Sequence, residues 1–463
     1  MPGHWPGHGP VEACMSIFTR VEHGISSFAR RLSAPQLVFV GFLSYALSGW
    51  ALLCPAMASG NRASILDNLF TSVSAISTTG LTTVSVGEDY TWFGQLVILS
   101  LIQLGGIGYM TLSSFVILAR KQPLGPSREG VLKAQFALPS EFNIGHFVWQ
   151  VAVFTLMIEG MGTIVLYLEF LAVGQRQPLW HAVFHSVSSF CTAGFSLNNN
   201  SLEDYAANAA INITISLLGY LGAVGFIVLA DVWFSLRSRT KRLTFTSTVI
   251  LAMTTGIFAV ATPLLFCFDP LLAELPATER LMAAAFQVMS ASSTTGFNTV
   301  PISQMGGATI MLITMIMVIG ASPSGTGGGV KTTSVSALMA VVWSTLRGRP
   351  VVGLMGREIP LERLQAAASQ CTMYLGTLGL GVYALALAEH TLSIELLFEC
   401  VSALGTVGLS MGATAALNTV GKLVVIGLMF LGRVGPLTAG LALLQRRTLL
   451  PSEAVLPRGE LTL

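Results

Sequence analysis

Long stretches without a charged side chain limit most strongly how this chain can fold. Residues 36–57, 92–119 and 302–330 contain no Asp, Glu, Lys or Arg. About 20 apolar residues in a helix cross the hydrocarbon core of a bilayer, where the backbone must satisfy its own hydrogen bonds. Because 52% of the 463 residues are apolar and only 10% are charged, we predict an all-α polytopic membrane protein.

Eight segments are apolar and long enough to be transmembrane helices. They are residues 36–57, 92–119, 147–173, 207–235, 247–268, 305–346, 364–388 and 420–445. An even number of spans places both termini on the same side of the membrane. Most Lys and Arg residues fall on that side, so the positive-inside rule predicts that both termini are cytoplasmic.

A short motif, F-x3-S-x3-T-x-G followed by Leu or Phe, recurs four times between these segments. Its members are Phe70, Ser74, Thr78 and Gly80; Phe184, Ser188, Thr192 and Gly194; Phe286, Ser290, Thr294 and Gly296; and Phe398, Ser402, Thr406 and Gly408. The spacing of four places Phe, Ser and Thr on one face of a short helix, and the glycine lets the chain turn back. We therefore predict four tandem repeats of span, pore helix, re-entrant loop and span around a central pore with pseudo-fourfold symmetry.

The repeats divide the chain into six parts. They are a cytoplasmic segment with an amphipathic surface helix (1–34), pore repeats 1 to 4 (35–120, 121–242, 243–350 and 351–446) and a cytoplasmic tail (447–463).

The four loops have the chemistry of a cation filter. A short helix that stops inside the membrane points its partly negative C-terminal end at the loop, and rings of carbonyl oxygens replace the hydration shell of K⁺ in known filters. The predicted ion-binding residues are Thr78, Thr79, Gly80, Thr192, Ala193, Gly194, Thr294, Thr295, Gly296, Thr406, Val407 and Gly408. The competing interpretation, that each glycine only permits helix packing, leaves the fixed Phe, Ser and Thr offsets unexplained.

The third repeat departs from the others because residues 305–346 are about twice the length of one span. Glycine and proline in its middle predict two half-helices joined by an irregular loop beside a cavity, and the alternative is a kinked helix. The loop contains Gly320, Ser322, Pro323, Ser324, Gly325, Thr326, Gly327, Gly328, Gly329 and Lys331. A phosphate-binding loop is not predicted, because Val330 separates the last glycine from Lys331.

Arg433 interrupts the last apolar segment. An arginine at the centre of a membrane costs about 2.5 to 3.5 kcal/mol on insertion scales, so it should face the pore or a partner. Glu159 is the first candidate for that partner and Asp231 the second. A purely structural ion pair remains open as an alternative.

Glycine pairs recur after the first, second and fourth motifs: Gly105 with Gly108, Gly222 with Gly225, and Gly432 with Gly435. We interpret all six as packing positions.

Two other functions compete with a channel-like pore. An intramembrane serine protease with Ser324 as nucleophile would need a base, yet the histidines lie in the leader, at span ends or in outer segments. A coupled secondary transporter of another small solute would also contain broken helices and repeats, but such repeats are commonly inverted, whereas these four run in the same orientation. We therefore predict that the chain is not an enzyme.

The motifs resemble those of the Ktr/Trk/HKT superfamily of potassium transporters, and most closely its bacterial Ktr membrane subunit. The resemblance rests on S-T-T-G-L (77–81), C-T-A-G-F (191–195), S-T-T-G-F (293–297), G-T-V-G-L (405–409), L-I-Q-L-G-G-I-G-Y-M-T (101–111), G-A-S-P-S-G-T-G-G-G-V-K-T (320–332) and F-L-G-R-V-G-P-L-T (430–438). It implies a single filter made by the four loops, and glycine in every copy implies a preference for K⁺. Gly405 and Val407 depart from the usual residues and would make that filter asymmetric.

The resemblance also implies how permeation is controlled. The 320–331 loop would be an intramembrane gate below the filter, and Arg433 a positive barrier near it. The chain would be a homodimer in the bacterial cytoplasmic (inner) membrane, bound to a cytosolic nucleotide-binding regulatory ring of the KtrA/TrkA type. K⁺ would be the transported ion and Na⁺ a candidate coupling or activating ion. The lipid bilayer is the other expected partner, and no nucleic acid is expected.

Overall fold

A computed structural model describes residues 32–55, 57–59, 63–108, 144–237, 243–323 and 325–444. The predicted surface helix within residues 1–34, the cytoplasmic tail 447–463 and Ser324 lie outside this part of the chain. The described residues are mostly helical, as the sequence predicts.

Four of the described helices are long and apolar enough to cross a membrane: Ala34–Leu53, Ile144–Ala172, Phe245–Phe268 and Leu361–Glu389. Their outer faces expose large apolar side chains, for example that of Leu380, which is 72% exposed. Such a surface is suited to contact with lipid, because hydrocarbon chains solvate leucine as well as a protein core does.

Two further apolar segments bend sharply at a glycine. Ala209–Val224 and Phe226–Arg237 meet at 99°, and Thr419–Val434 and Pro436–Leu444 meet at 91°. The residues at the corners, Gly225 and Gly435, have φ angles of +93° and +88°, which side chains other than glycine rarely adopt. The sequence did not predict these bends. By length and composition the described helices give four spans, or up to six if each bent pair is one span, so the eight-span architecture stays a prediction.

Four short helices precede the recurring glycines, and we name them loop helices 1 to 4. They are Ile65–Ile76, Pro178–Phe190, Ala277–Ser293 and Ile394–Gly405. Loop helices 1 and 4 begin at Ser64 and Ser393, whose hydroxyls accept the amide hydrogens of Asp67 and Leu396. The phenylalanine of each motif is at most 2% exposed, so these residues anchor the loop helices in the core.

The predicted break in the third repeat is confirmed. Gly307–Val318 and Thr332–Leu346 are separate helices, and the described residues between them are not helical. Its two ends are joined by backbone hydrogen bonds from Gly320 to Val330 (2.9 Å) and from Ala321 to Gly328 (3.1 Å). This pairing excludes a continuous kinked helix.

The remaining elements are short. They are the helices Trp92–Ile107, Val86–Asp89, Pro270–Ala273 and Ala413–Ala416, the 3-10 turns Glu203–Tyr205 and Ile302–Gln304, and the antiparallel strands Gly353–Leu354 and Arg357–Glu358.

Candidate ion pathway

The four loops that follow the loop helices share one strained backbone. We name them glycine loops 1 to 4, residues 77–81, 191–195, 293–297 and 405–409. The threonine of each motif has a φ angle between +48° and +58°, and the glycine two residues later has one between +67° and +94°. A β-branched residue in the left-handed region is a true outlier, and such strain clusters at functional sites. Its fourfold recurrence indicates that the loop shape is required.

The glycine loops pack on one another in a closed ring. A Cβ atom added to Gly80 would lie less than 3 Å from the carbonyl oxygen of Ala193 in glycine loop 2, closer than real Cβ atoms approach. The same relation joins Gly194 to Thr295, Gly296 to Val407, and Gly408 to Thr79. Each loop therefore touches the next, and the fourth touches the first.

The motif serines hold this backbone. Ser74 and Ser402 accept hydrogen bonds from the amides of Gly80 and Gly408 at 3.1 and 3.0 Å. Ser188 and Ser290 instead donate to the carbonyl oxygens of Phe195 and Phe297, at 2.9 and 2.6 Å. A hydroxyl can do either, which explains why serine suits all four copies.

A polar chamber of about 470 Å³ opens onto one side of the ring. All four motif glycines border it, together with the residues that follow them. Hydroxyl and amide side chains from Thr82, Thr83, Ser85, Ser196, Asn198, Asn199, Asn200, Asn298, Ser303, Ser410 and Thr414 make up most of the remaining lining. A chamber of this kind can hold a hydrated cation directly beside the ring.

The 320–331 loop contacts all four motif threonines, which precede the glycines. The Thr78 hydroxyl donates to the Thr326 carbonyl oxygen at 3.4 Å, and the hydroxyls of Thr192 and Thr326 are 3.0 Å apart. The Gly328 amide donates to the Thr406 hydroxyl at 3.0 Å. A Cβ atom on Gly327 would collide with the Thr294 hydroxyl. The loop and the chamber thus adjoin different sides of the ring.

The start of the 320–331 loop is fixed to the bend at Gly225. The Ser322 hydroxyl donates to the carbonyl oxygen of Val224 at 2.5 Å, and its amide to that of Ala223 at 3.1 Å. The Thr326 amide donates to the carbonyl oxygen of Gly222 at 3.1 Å. Carbonyls at a helix end lack helical partners, so the bend supplies the acceptors that the loop uses. Pro323 and Gly325 lie within the same turn.

Arg433 is held by backbone carbonyls. Its guanidinium donates to the carbonyl oxygens of Thr326 and Gly105 and lies 5.9 Å from the centre of the Phe42 ring. Lys331 makes a related contact, donating to the Gly327 carbonyl oxygen at 2.8 Å. Both partly buried cations therefore bind the loop or its immediate surroundings.

The predicted partners of Arg433 are wrong. No carboxylate among the described residues lies within salt-bridge distance of its guanidinium. Glu159 instead accepts hydrogen bonds from the Gln103 side-chain amide at 3.0 and 3.1 Å, and Asp231 accepts one from the Thr244 amide at 2.7 Å. Backbone carbonyls of Thr326 in the loop and of Gly105 in the helix Trp92–Ile107 take the place of a carboxylate as acceptors.

The paired glycines have two different roles. A Cβ on Gly105, Gly222 or Gly432 would collide with a carbonyl oxygen in the last turn of loop helix 1, 2 or 4, that of Ile76, Phe190 or Leu404, which confirms the predicted packing. Gly108, Gly225 and Gly435 end their helices with positive φ angles, a role that the sequence did not predict. A Cβ on Gly435 would meet no atom closer than 3.5 Å, so close packing does not require glycine there.

The sequence did not predict the ion pair between Lys422 and Asp67. Lys422 Nζ lies 2.7 Å from Asp67 Oδ1, which joins the start of Thr419–Val434 to the first turn of loop helix 1. The two residues are far apart in the chain, so the only available signal was that Lys422 is one of the few basic residues in the outer connections.

A ring of four glycine loops among apolar helices, with a polar chamber beside it, is typical of a membrane transport protein. The family model described as "TrkH: Cation transport protein" matches residues 51–457, and the chain belongs to this family. The predicted resemblance to Ktr and Trk proteins is thereby confirmed, as is the prediction of a transporter and not an enzyme.

Curated relatives match along nearly their whole length. The chain is 32% identical to Ktr system potassium uptake protein B of Bacillus subtilis over 88% of this chain and 92% of that protein. It is 33% identical to the potassium/sodium uptake protein NtpJ of Enterococcus hirae over 90% and 94%. The crystal structure of the potassium transporter TrkH from Vibrio parahaemolyticus has the same fold, with a TM-score of 0.69 at 19% identity over 88% of this chain and 84% of that one.

Proposed function

We propose that this chain is the ion-conducting subunit of a potassium uptake system, in which K⁺ crosses the ring of glycine loops. The observation that carries the proposal is the closed ring itself, because its four strained loops bring carbonyl and hydroxyl oxygens together next to a polar chamber. Oxygens arranged in a ring can replace the water around a monovalent cation. Relatives named for potassium uptake support K⁺ as that cation.

The 320–331 loop and Arg433 form the proposed gate. The loop lies against all four motif threonines, where it would obstruct an ion that had passed the ring. Arg433 and Lys331 add positive charge there, which opposes a cation and also ties the loop down. Opening would require these hydrogen bonds to break.

The proposed assembly is a homodimer in the bacterial inner membrane, with both termini in the cytoplasm and a cytosolic nucleotide-binding ring as regulator. Two relatives are named as parts of a Ktr system, which supports a regulatory partner. Basic residues such as Arg237, Arg347 and Arg349 support the orientation. The name of the Enterococcus hirae relative supports Na⁺ as a coupling or activating ion.

A coupled secondary transporter is the second candidate, and the bent helix pairs favour it because broken helices also build midplane binding sites. Ion-flux measurements in proteoliposomes distinguish a channel-like pore from a coupled transporter. Flux through a ring of oxygens should follow the K⁺ gradient and accept Rb⁺ better than Li⁺. Transport that requires a second solute, with no flux when K⁺ is alone, would favour coupled transport.

Growth of a potassium-uptake-deficient bacterium on limiting K⁺ tests the main proposal. Expression of the wild-type chain should restore growth, and Gly296→Ser should abolish or weaken the rescue, since a side chain there collides with the Val407 carbonyl. Gly174→Ser is the matched control, because Gly174 also has a positive φ but has no atom within 4 Å of an added Cβ. Absence of rescue by well-expressed wild-type protein would overturn the proposal.

A further inference from the structure

One charged residue lines the polar chamber beside the ring of glycine loops. Glu203 is the charged side chain among the described residues that line it, and every other lining residue is uncharged. It lies in the short turn Glu203–Tyr205, between loop helix 2 and the helix Ala209–Val224.

Contacts from a different repeat hold the carboxylate in place. Its Oε1 accepts a hydrogen bond from Asn298 Nδ2 at 2.8 Å, and Asn298 follows glycine loop 3 directly. The Leu202 amide donates to the Asn298 carbonyl oxygen at 3.1 Å, and the Asn298 amide donates to the Ser201 hydroxyl at 3.2 Å. No described residue donates to Oε2 of Glu203, so this oxygen remains available to a cation.

Other carboxylates near the ring are already occupied or face elsewhere. Asp67 is paired with Lys422, and both oxygens of the buried Glu399 accept hydrogen bonds, from Ser410 and Thr414 among others. Glu88 and Asp204 do not line the chamber. Glu203 is therefore the carboxylate whose field enters the chamber most directly.

We propose that Glu203 collects monovalent cations in the chamber and steers them to the ring of glycine loops, which makes it a residue that sets the rate of uptake at low K⁺ concentration. A negative charge in a confined polar cleft raises the local cation concentration and the rate of association. This inference rests on the proposed potassium function, and it assigns a separate binding step before the filter.

Substitution of the charge alone tests the proposal. Glu203→Gln keeps the size and an oxygen for Asn298, whereas Glu203→Lys reverses the charge. A unit charge acting across about 5 to 10 Å of water changes local ion concentration by about two- to fourfold, so Glu203→Gln should slow low-K⁺ uptake by that factor. Glu203→Lys changes the charge by two units and should slow it by about 4- to 16-fold. The readout is initial K⁺ uptake by potassium-depleted cells at limiting external K⁺.

Ionic strength distinguishes steering from a structural role. The reductions in K⁺ uptake caused by Glu203→Gln and Glu203→Lys should be largest at about 0.01 M external ionic strength. They should be smaller at about 0.15 M, where the Debye length falls to about 8 Å. Asp204→Asn is the matched control, because Asp204 is the adjacent, exposed carboxylate that binds Asn200 and does not line the chamber. Its uptake should equal that of the wild type.

Three results would contradict either cation steering by Glu203 or K⁺ transport by the chain, and they can be told apart. If Glu203→Gln and Asp204→Asn behave alike, Glu203 does not steer cations. If the Glu203→Gln loss is the same at both ionic strengths, its role is to hold Asn298 and glycine loop 3. If the wild-type chain itself carries no K⁺, the proposed function fails and the inference fails with it.

Discussion

The guanidinium of Arg433 donates to the carbonyl oxygen of Thr326, so the last apolar helix is tied directly to the 320–331 loop. The hydroxyl of the same threonine also contacts Thr192 in glycine loop 2. Thr326 thus joins a partly buried cation on one side to the ring on the other.

Removal of Arg433 should therefore loosen the loop. A hydrogen bond to a charged group contributes about 1.5 to 3 kcal/mol, so Arg433→Ala should raise K⁺ flux through the unregulated protein by about tenfold or more. Arg433→Lys keeps one positive charge and should have a smaller effect. Flux in proteoliposomes is the measurement, with Arg347→Ala as a control at a residue that stacks on Trp343 at 4.2 Å. Unchanged rate and ion preference in Arg433→Ala would mean that the residue is only structural.

Shortening the loop tests the gate without touching a charge. Deletion within residues 325–329 removes the contacts to Thr192 and Thr406, and basal K⁺ flux should rise. The measurement is flux in proteoliposomes. The elution profile on a size-exclusion column and thermal unfolding are used to confirm that the protein remains folded. Folded protein with wild-type flux would rule the loop out as a barrier.

Alanine substitutions at Gly408, in glycine loop 4, and at nearby Gly412 distinguish the effect of a steric clash from the effect of backbone strain. Gly408 and Gly412 have nearly the same φ, +92° and +93°, but a Cβ on Gly408 would collide with the Thr79 carbonyl and one on Gly412 would meet nothing within 4 Å. Both alanine variants carry the left-handed penalty of about 1 to 2 kcal/mol. Gly408→Ala should in addition abolish K⁺ selectivity or flux, whereas Gly412→Ala should retain both. Equal behaviour of the two variants in ion-competition assays would contradict the ring contact.

The Lys422 ion pair should make stability depend on pH. Burial alone would raise the pKa of Asp67, but hydrogen bonds from Lys422, Ser64 and Thr83 outweigh it and lower the pKa from 3.8 to about 2. A carboxyl with a lower pKa in the folded state stabilises the protein above its unfolded pKa and loses that effect as pH falls toward the folded value. Between about pH 4 and pH 2 the protein should lose about 1 to 2 kcal/mol of stability from this group, because solvent screens part of the interaction.

Thermal unfolding in detergent at a series of pH values measures this loss. Asp67→Asn should be less stable than the wild type at pH 6 and should show a weaker decline below pH 4. Asp204→Asn provides the comparison at an exposed carboxylate. An Asp67→Asn variant with the full acid dependence of the wild type would show that other groups cause it.

The repeated motifs were predictable because their physical causes are local. Four-residue spacing fixes the shared face of Phe70, Ser74 and Thr78, and glycine at position 80 permits the turn, so each copy could be interpreted alone. The break near Gly320 was predictable for the same reason, since glycine and proline weaken any helix.

Features that depend on distant parts of the chain were not predictable. Glu159 and Asp231 were the predicted partners of Arg433, but its acceptors are the backbone carbonyls of Thr326 and Gly105, which only the folded chain brings to the guanidinium. The corners at Gly225 and Gly435 look in sequence like packing glycines, because a single glycine can serve either purpose. Glu203 stands out only when the chamber that it borders is known.

The contact between Gly408 and Thr79 joins the last glycine loop to the first, across almost the whole described chain. During synthesis, the first three loops can pack on one another before the fourth has left the ribosome, but the circle stays open. The proposed pathway would therefore be completed only by the final repeat, and an unfinished chain in the membrane would have no closed ring through which ions could leak.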